Sequence, residues 1–362
     1  MGLTILGLGT ALPPHSMSQT QAVELAQHVC CQTEDQARLL RVLYRRSGVK
    51  NRYTFLHHEI ALNWNSARGE ENGGPRTLTH GPTTNERMQW YADHAPPLAL
   101  RASHDALERA ELPARDVTHL VTVSCTGFMA PGIDLELIRK LGLPATVERT
   151  HVGFMGCHGA LNGLRVARGL VAADPGVRVL LCAVELCTLH FCTSWDANRV
   201  VGNAIFGDGA AALVGSQSNG DEDWTVAACG SCVIADSEDA MGWVIGDHGF
   251  EMFLSPRVPE LIEKQLHPWL TQWLGRQGMT LDQIQSWAIH PGGPRILSAV
   301  EHALSLERSA TEVSRDVLRE CGNMSSPTVL FILDRLRQAD APRPCVALGF
   351  GPGLVAEAAL VI

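Results

Sequence analysis

One cysteine is set among glycines in Gly153-Phe154-Met155-Gly156-Cys157-His158-Gly159-Ala160, and it is one of eleven in the chain. A thiol becomes a nucleophile when a positive neighbour or a helix N-terminus stabilises its thiolate. The apolar positions Ala160, Leu164, Ala167 and Val171 share one helical face, which predicts a helix beginning at Cys157. The flanking Gly156 and Gly159 leave room for a substrate or a second helix to approach. His158 is a poor partner despite its adjacency, because neighbours on a helix point about 100° apart. The base must come from elsewhere. His290 ends the apolar run Ser286-Trp-Ala-Ile-His290 and precedes Pro291-Gly292-Gly293, where α/β proteins place ligand-facing groups. Asn323 stands in Cys321-Gly-Asn-Met-Ser-Ser-Pro327, ahead of a helix that Ser326 would cap and Pro327 would open. Each of the three residues alone is more simply read as packing or a turn; together they form a Cys-His-Asn set.

The elements that must position them alternate between strand and helix. Val177–Leu186 is apolar apart from Arg178 and Glu185, as in a strand buried on both faces. The chain reads as two halves, residues 1–218 with the cysteine and 219–362 with the histidine and asparagine, joined in the polar stretch Gly215–Asp223. Ile205–Gly215 resembles Gly349–Val361, and Asp116–Gly127 has the shape of Asp282–Gly293, so equivalent loops of a duplicated α/β unit would meet at one place. A second polar stretch, Asn63–Asn85, reads as a surface insertion.

Composition narrows the chemistry. With 362 residues, 45% hydrophobic and 19% charged, the chain is globular, and its net charge of −9 argues against nucleic acid as a partner. No apolar run approaches the roughly 18 residues of a membrane span. The start, MGLTILGLGTALPP, reads as a strand and turn, so a cytoplasmic location with reduced thiols is expected. Cys229-Gly-Ser-Cys232 has redox-motif spacing without a second pair and reads as packing. No cluster suggests a metal site. The basic group Arg41, Arg45, Arg46, Lys50 and Arg52 reads as a solvated helix face or an anion grip.

Five segments, GFMGCHGALNGLRVARG, IFGDGAAA, WAIHPGGPRIL, CGNMSSPTVLFIL and GFGPGLVAE, together resemble the ordered signatures of type III polyketide synthases. These are the chalcone/stilbene synthase-like branch of the thiolase superfamily. PTTNERMQWYADHAPPLALRAS looks like the bacterial members. Thiolases pair the nucleophile with a second Cys, and hydroxymethylglutaryl-CoA synthases use a Glu. Ketoacyl-ACP synthase III enzymes share Cys-His-Asn but typically lack the terminal Gly-Phe-Gly-Pro-Gly-Leu present here as Gly349–Leu354. A single condensation of that kind is the alternative activity, and a non-catalytic scaffold a third.

The resemblance implies an α/β thiolase fold with a duplicated α-β-α-β-α five-layer architecture, and a homodimer. It implies that Cys157 takes an acyl group from acyl-CoA, its thiolate paired with protonated His290. Malonyl-CoA then loses CO2, His290 and Asn323 stabilise the enolate, and a cyclised polyketide is released. No cofactor is required beyond the CoA thioesters. Phe206 matches one gatekeeper and Met252 stands where plant enzymes have the second. Cys125, Cys187, His190 and Trp243 align with cavity positions that differ from the plant set. Arg46 aligns with a lysine that holds CoA phosphates, while the other plant CoA cations align on Leu39 and Val42. Arg295, Gly292 and Gly293 are further CoA-side candidates.

Overall fold

The computed structural model describes residues 2–57, 81–197, 199–217 and 224–362. The first half contains β1 (Leu3–Ala11), β2 (His15–Ser18), α1 (Gln19–Cys30), α2 (Glu34–Arg46), β3 (Asn51–Thr54), α3 (Thr84–Arg109) and β4 (His119–Ser124). It continues with α4 (Ile133–Leu141), β5 (Glu148–Gly153), α5 (Gly159–Ala173), β6 (Arg178–Leu186), α6 (Val200–Ile205) and β7 (Asp208–Gln217). The second half contains β8 (Thr225–Val233), β9 (Met241–Gly246), β10 (Gly249–Leu254), α7 (Val258–Gly275) and β11 (Ser286–Ile289). It ends with α8 (Pro294–Leu304), α9 (Glu312–Cys321), α10 (Pro327–Gln338), β12 (Cys345–Gly351) and β13 (Val355–Val361).

The duplication read from short motifs is written in the strand order. The first half runs β5-β4-β6-β7-β1 and the second β11-β12-β13-β8. Leaving β5 aside, each places its second, third, fourth and first strands side by side. The first junction in each is parallel (β4 with β6, β11 with β12) and the next two are antiparallel. The two runs meet through a short contact, Leu3 opposite Val226 and Thr4 opposite Thr225.

Period-2 alternation sends side chains of each sheet to two different cores. On β6, Leu180, Cys182 and Val184 join α3 in one core, while Val179, Leu181 and Ala183 face the central one. On β12, Cys345 and Ala347 face the central core, and Val346, Leu348 and Phe350 pack against α7 and α8. The central core also takes Leu161, Leu164 and Ala167 from α5 and Val329, Leu330 and Leu333 from α10. Those two helices therefore lie between the sheets, and the layers read α-β-α-β-α. Because both central helices are enclosed, their N-terminal ends are the places where a residue can be buried and still lie near a cavity.

Two boundary expectations fall partly outside the described residues: 218–223 of the proposed join and 63–80 of the proposed insertion. Thr84 and Asn85, counted with that insertion, belong to α3. Its start is a capping box in which Thr83 and Glu86 bond each other's backbone N–H.

Candidate active site

Cys157 does not open the helix itself. It lies in a 3-10 turn, Gly156–His158, immediately before α5. Burial pushes its thiol up to about 11, Ser325 and Asn323 pull it down by hydrogen bonding, and Glu185 pushes it up. The glycines around it serve the protein rather than a ligand. Gly156 has φ +68°, and a Cβ there would lie 2.6 Å from Pro352 Cδ. A Cβ on Gly159 would meet Val123 at 2.9 Å and Ser326 at 3.4 Å, so α5 packs closely on β4 and on the start of α10.

Asn323 arrives from the loop between α9 and α10. Its backbone is clamped on both sides of Phe206: its N–H donates to Ile205 O (2.9 Å) and its carbonyl accepts from Gly207 N (3.0 Å). The side-chain Oδ1 accepts from Ser325 N at 2.7 Å, which turns Nδ2 toward Cys157 Sγ, 4.0 Å away. Ser326 is not the side-chain cap expected of it. Its hydroxyl donates to Glu185 Oε1 at 2.6 Å, because that wholly buried carboxylate draws in the surrounding donors. Glu185 also accepts from Ser124 Oγ, from Thr126 Oγ1 and from the N–H groups of Cys125 and Thr126. It thereby fixes the loop after β4 against the start of α10.

His290 is buried at the end of β11, its N–H bonded to Leu348 O at 2.8 Å. Neither ring nitrogen has a hydrogen-bond partner, and burial with the nearby His158 pulls its pKa down to about 3. Burial thus acts on Cys157 and His290 alike toward their neutral forms. An ion pair between them would have to come from their mutual attraction.

Cys157 opens onto a cavity lined by all six residues expected to shape it: Cys125, Cys187, His190, Phe206, Trp243 and Met252. Phe206 and Met252 converge on Gly202, whose Cβ would lie 3.5 Å from the ring and 3.3 Å from the thioether methyl. That is the geometry of a two-sided constriction. Trp243 stacks on Phe250 (5.0 Å, 7°), and Phe250 stacks on His190 (4.1 Å, 10°). The His190 ring is held at both nitrogens, Nε2 to Thr126 O (2.6 Å) and Nδ1 to Phe250 N (3.0 Å), and burial lowers its pKa to about 3. It presents a neutral ring face. The lining also includes the aliphatic Met17, Ala22, Leu25 and Leu56 and the polar Arg52, Thr54, Arg199 and Asn203. Cys125 and Cys187 are thiols pushed well up by burial, Cys125 lying 3.3 Å from Ser325 Oγ.

His290 and Asn323 are buried and do not line the cavity, and the four CoA-side candidates also lie off it. Arg46 is exposed at the end of α2 and Arg295 is exposed at the start of α8. The two ends are neighbours, since a Cβ on Gly48 would touch Leu318 and Pro294 at 3.4 and 3.6 Å. Gly292, in the loop before α8, packs on Ile296 of that helix and Gly293 toward Ile205. Arg41 is engaged by Glu34 at 2.7 Å, and Leu39 is exposed. Arg52 is interior, bonded to the carbonyls of Asn203, Ala204 and Phe206. Cys229 and Cys232 lie on β8, and all eleven cysteines are free thiols. Among the described residues no helix is long and apolar enough to cross a membrane.

Sequence reasoning missed Glu185, Ser325 and Phe250. Glu185 carried a signal, a lone carboxylate in an otherwise apolar buried strand, which must find donors or leave the core.

Two half-sheets of one strand order enclose two central helices, with a cysteine at the start of one and an asparagine before the other. This is a thiolase-type condensing enzyme. The chain belongs to the chalcone and stilbene synthase family, matching its N-terminal domain over residues 2–218 and its C-terminal domain over residues 226–362. It is 32% identical to the alpha-pyrone synthesis polyketide synthase-like Pks18 of Mycobacterium tuberculosis, over 98% of this chain and 90% of that one. It is 33% identical to the 1,3,6,8-tetrahydroxynaphthalene synthase of Streptomyces peucetius subsp. caesius, over 99% and 93%. The crystal structure of PKS-I from the brown alga Ectocarpus siliculosus superposes with a TM-score of 0.90 at 30% identity, covering 99% of this chain and 98% of that one. The protein is a type III polyketide synthase, an acyltransferase of the decarboxylating, condensing kind, rather than a ketoacyl-ACP synthase III.

Proposed function

We propose that the enzyme loads an aliphatic acyl group from acyl-CoA onto Cys157 and extends it with malonyl-CoA to a cyclised polyketide. The observation that carries the residue assignment is the Asn323 amide 4.0 Å from Cys157 Sγ, at the wall of an apolar cavity. Cys157 attacks the thioester carbonyl and its proton passes to His290; CoA departs as the thiolate and is protonated in solvent. Malonyl-CoA then loses CO2. The enolate oxygen accepts hydrogen bonds from the imidazolium and from Asn323 Nδ2, the latter held in place by Ser325 N before charge develops. The enolate carbon attacks the Cys157 thioester, expelling the thiolate, which takes its proton back from His290. These steps need no metal or redox cofactor, since the thioester and decarboxylation supply the carbanion.

An aliphatic starter is favoured by the walls. The Trp243–Phe250–His190 stack contributes ring faces without a free polar atom from the histidine, and Met17, Ala22, Leu25 and Leu56 add aliphatic surface to the same cavity. Arg46 and Arg295 lie on adjoining helix ends and are suited to CoA phosphates at the mouth. A homodimer is supported by the edge strand β5, whose first four residues are exposed, and by the exposed Phe128, Phe154 and Met155 nearby in sequence. A cytoplasmic location fits the free thiols. The test is a panel of short, aromatic and long-chain acyl-CoAs with malonyl-CoA, read by protein and product mass spectrometry. The expected result is an acyl thioester on Cys157 and preference for aliphatic starters; no adduct with any donor would end the covalent reading.

A further inference from the structure

His158, set aside as a partner because of its adjacency to Cys157, lies in the 3-10 turn rather than the helix and is buried. Its Nδ1 is engaged with Asn162 Oδ1 at 2.7 Å, one turn along α5. An amide oxygen only accepts, so Nδ1 carries the proton and Nε2 is left with a lone pair. That Nε2 is buried with no hydrogen-bond partner. It is one of three ring nitrogens left so in this region, the other two being those of His290.

The sheet register places the two histidines on the same side of β12. Ile289 of β11 pairs with Leu348 of β12, and the His290 N–H continues the ladder onto Leu348 O. Ala288 faces the central core and Ile289 the outer one, so the alternation returns His290 to the central side. Gly349 and Gly351 of β12 face the same side as Ala347. His158 rests on these two glycines: a Cβ on Gly349 would lie 3.3 Å from its Cβ, and one on Gly351 2.6 Å from its Nε2. His290 therefore sits about one strand spacing, roughly 4.8 Å, from Gly349, which underlies the His158 Cβ, while the His158 Nε2 lies over Gly351, two residues farther along β12. Only glycine on β12 leaves room for an imidazole there.

We propose that His158 is a positioning residue for His290: its Nε2 accepts the N–H of the His290 nitrogen that points away from Cys157. That contact turns the other His290 nitrogen, as a base, toward the thiol, and supports the imidazolium formed when the thiol proton arrives. This is the part a third residue plays behind a nucleophile and its base. All three nitrogens are unpaired in this structure, and closing this one contact would satisfy two of them and leave the third for Cys157. The other groups facing His158 are Asn162 and Arg165 of α5 and Glu357 of β13, the last two bonded to each other. Burial lowers the His158 pKa, which keeps it neutral and able to accept at physiological pH.

The inference rests on the assignment of Cys157 and His290 made above, and its test needs no CoA substrate, so the two can fail separately. The rate of Cys157 alkylation by iodoacetamide is followed against pH by peptide mass spectrometry. His158→Phe keeps a ring on the glycines and removes the acceptor. Alkylation at pH 7 should slow about tenfold or more, with the midpoint of the pH profile moved upward. His158→Gln, whose amide oxygen can accept, should restore most of the rate. Asn162→Leu, a milder change that releases the tautomer, should give a smaller shift in the same direction. An unmoved midpoint in His158→Phe, or equal losses in the Phe and Gln variants, would overturn the proposal. Should His158→Phe not fold, an unmoved midpoint in Asn162→Leu would do the same.

Discussion

Gly156→Ala tests whether the turn that presents Cys157 is held from the far end of the chain. Two costs add. At φ +68° an alanine pays the left-handed penalty, about 1–2 kcal/mol. Its Cβ would also lie 2.6 Å from Cδ and 3.0 Å from Cγ of Pro352, against ordinary contacts beyond 3.4 Å. A proline ring cannot swing aside as a flexible side-chain end can, so one loop must shift by several tenths of an ångström, an overpacking cost of about 1–3 kcal/mol. Together these amount to roughly 2–5 kcal/mol, measured as a change in urea midpoint at unchanged slope. The decisive assay is a double-mutant cycle with Pro352→Gly, which removes the ring but not the backbone strain. Coupling should return about 1–3 kcal/mol and leave the left-handed penalty behind. A Gly156→Ala protein destabilised by less than about 0.5 kcal/mol, or a cycle with no coupling, would refute the claim that Pro352 closes on the nucleophile turn.

Two further outcomes follow from the site. Asn323→Ala should slow malonyl-CoA decarboxylation by about 10²- to 10³-fold, while Cys157 still forms an acyl thioester; an unchanged decarboxylation rate would remove Asn323 from the enolate site. His190, lowered to about 3 by burial, binds fewer protons folded than unfolded between that value and its ordinary one near 6.5. The stability it contributes is therefore present above pH 6.5 and lost as the pH falls toward 3, by up to about 1.4 kcal/mol per pH unit. In His190→Phe the acid side of the stability–pH curve should be shallower by that amount, and an identical slope would contradict the burial argument.

The pattern of types and spacing carried the turn that holds Cys157, the Asn323 motif that meets it and the repeated half, because each is local or recurs within one element. What it could not carry were contacts between residues far apart in the chain. Gly156 announced a close approach, but nothing near it in sequence named Pro352, almost two hundred positions on. Ser326 has the composition of a cap, and only the fold reveals that Glu185, buried without a cation, claims its hydroxyl instead. His158 was judged with helical geometry; the 3-10 turn and the glycines of β12 give its ring a different neighbour. The cavity residues were placed by resemblance, and Phe250, which joins Trp243 to His190 in one stack, was not among them.

The short backbone bridge between Phe206 and Asn323 has a consequence for how such enzymes diversify. Because Asn323 bonds through its main chain to Ile205 and Gly207 on either side of Phe206, the proposed entrance and the amide beside Cys157 are tied together through the backbone. A lineage acquiring a new starter cannot relocate the entrance by lengthening or shifting that segment without displacing the amide and losing rate. It can exchange side chains at positions 206, 252 and 202 while the main chain stays registered. Selection is thereby channelled toward point substitutions, and substrate range can drift widely over a condensing apparatus that barely changes.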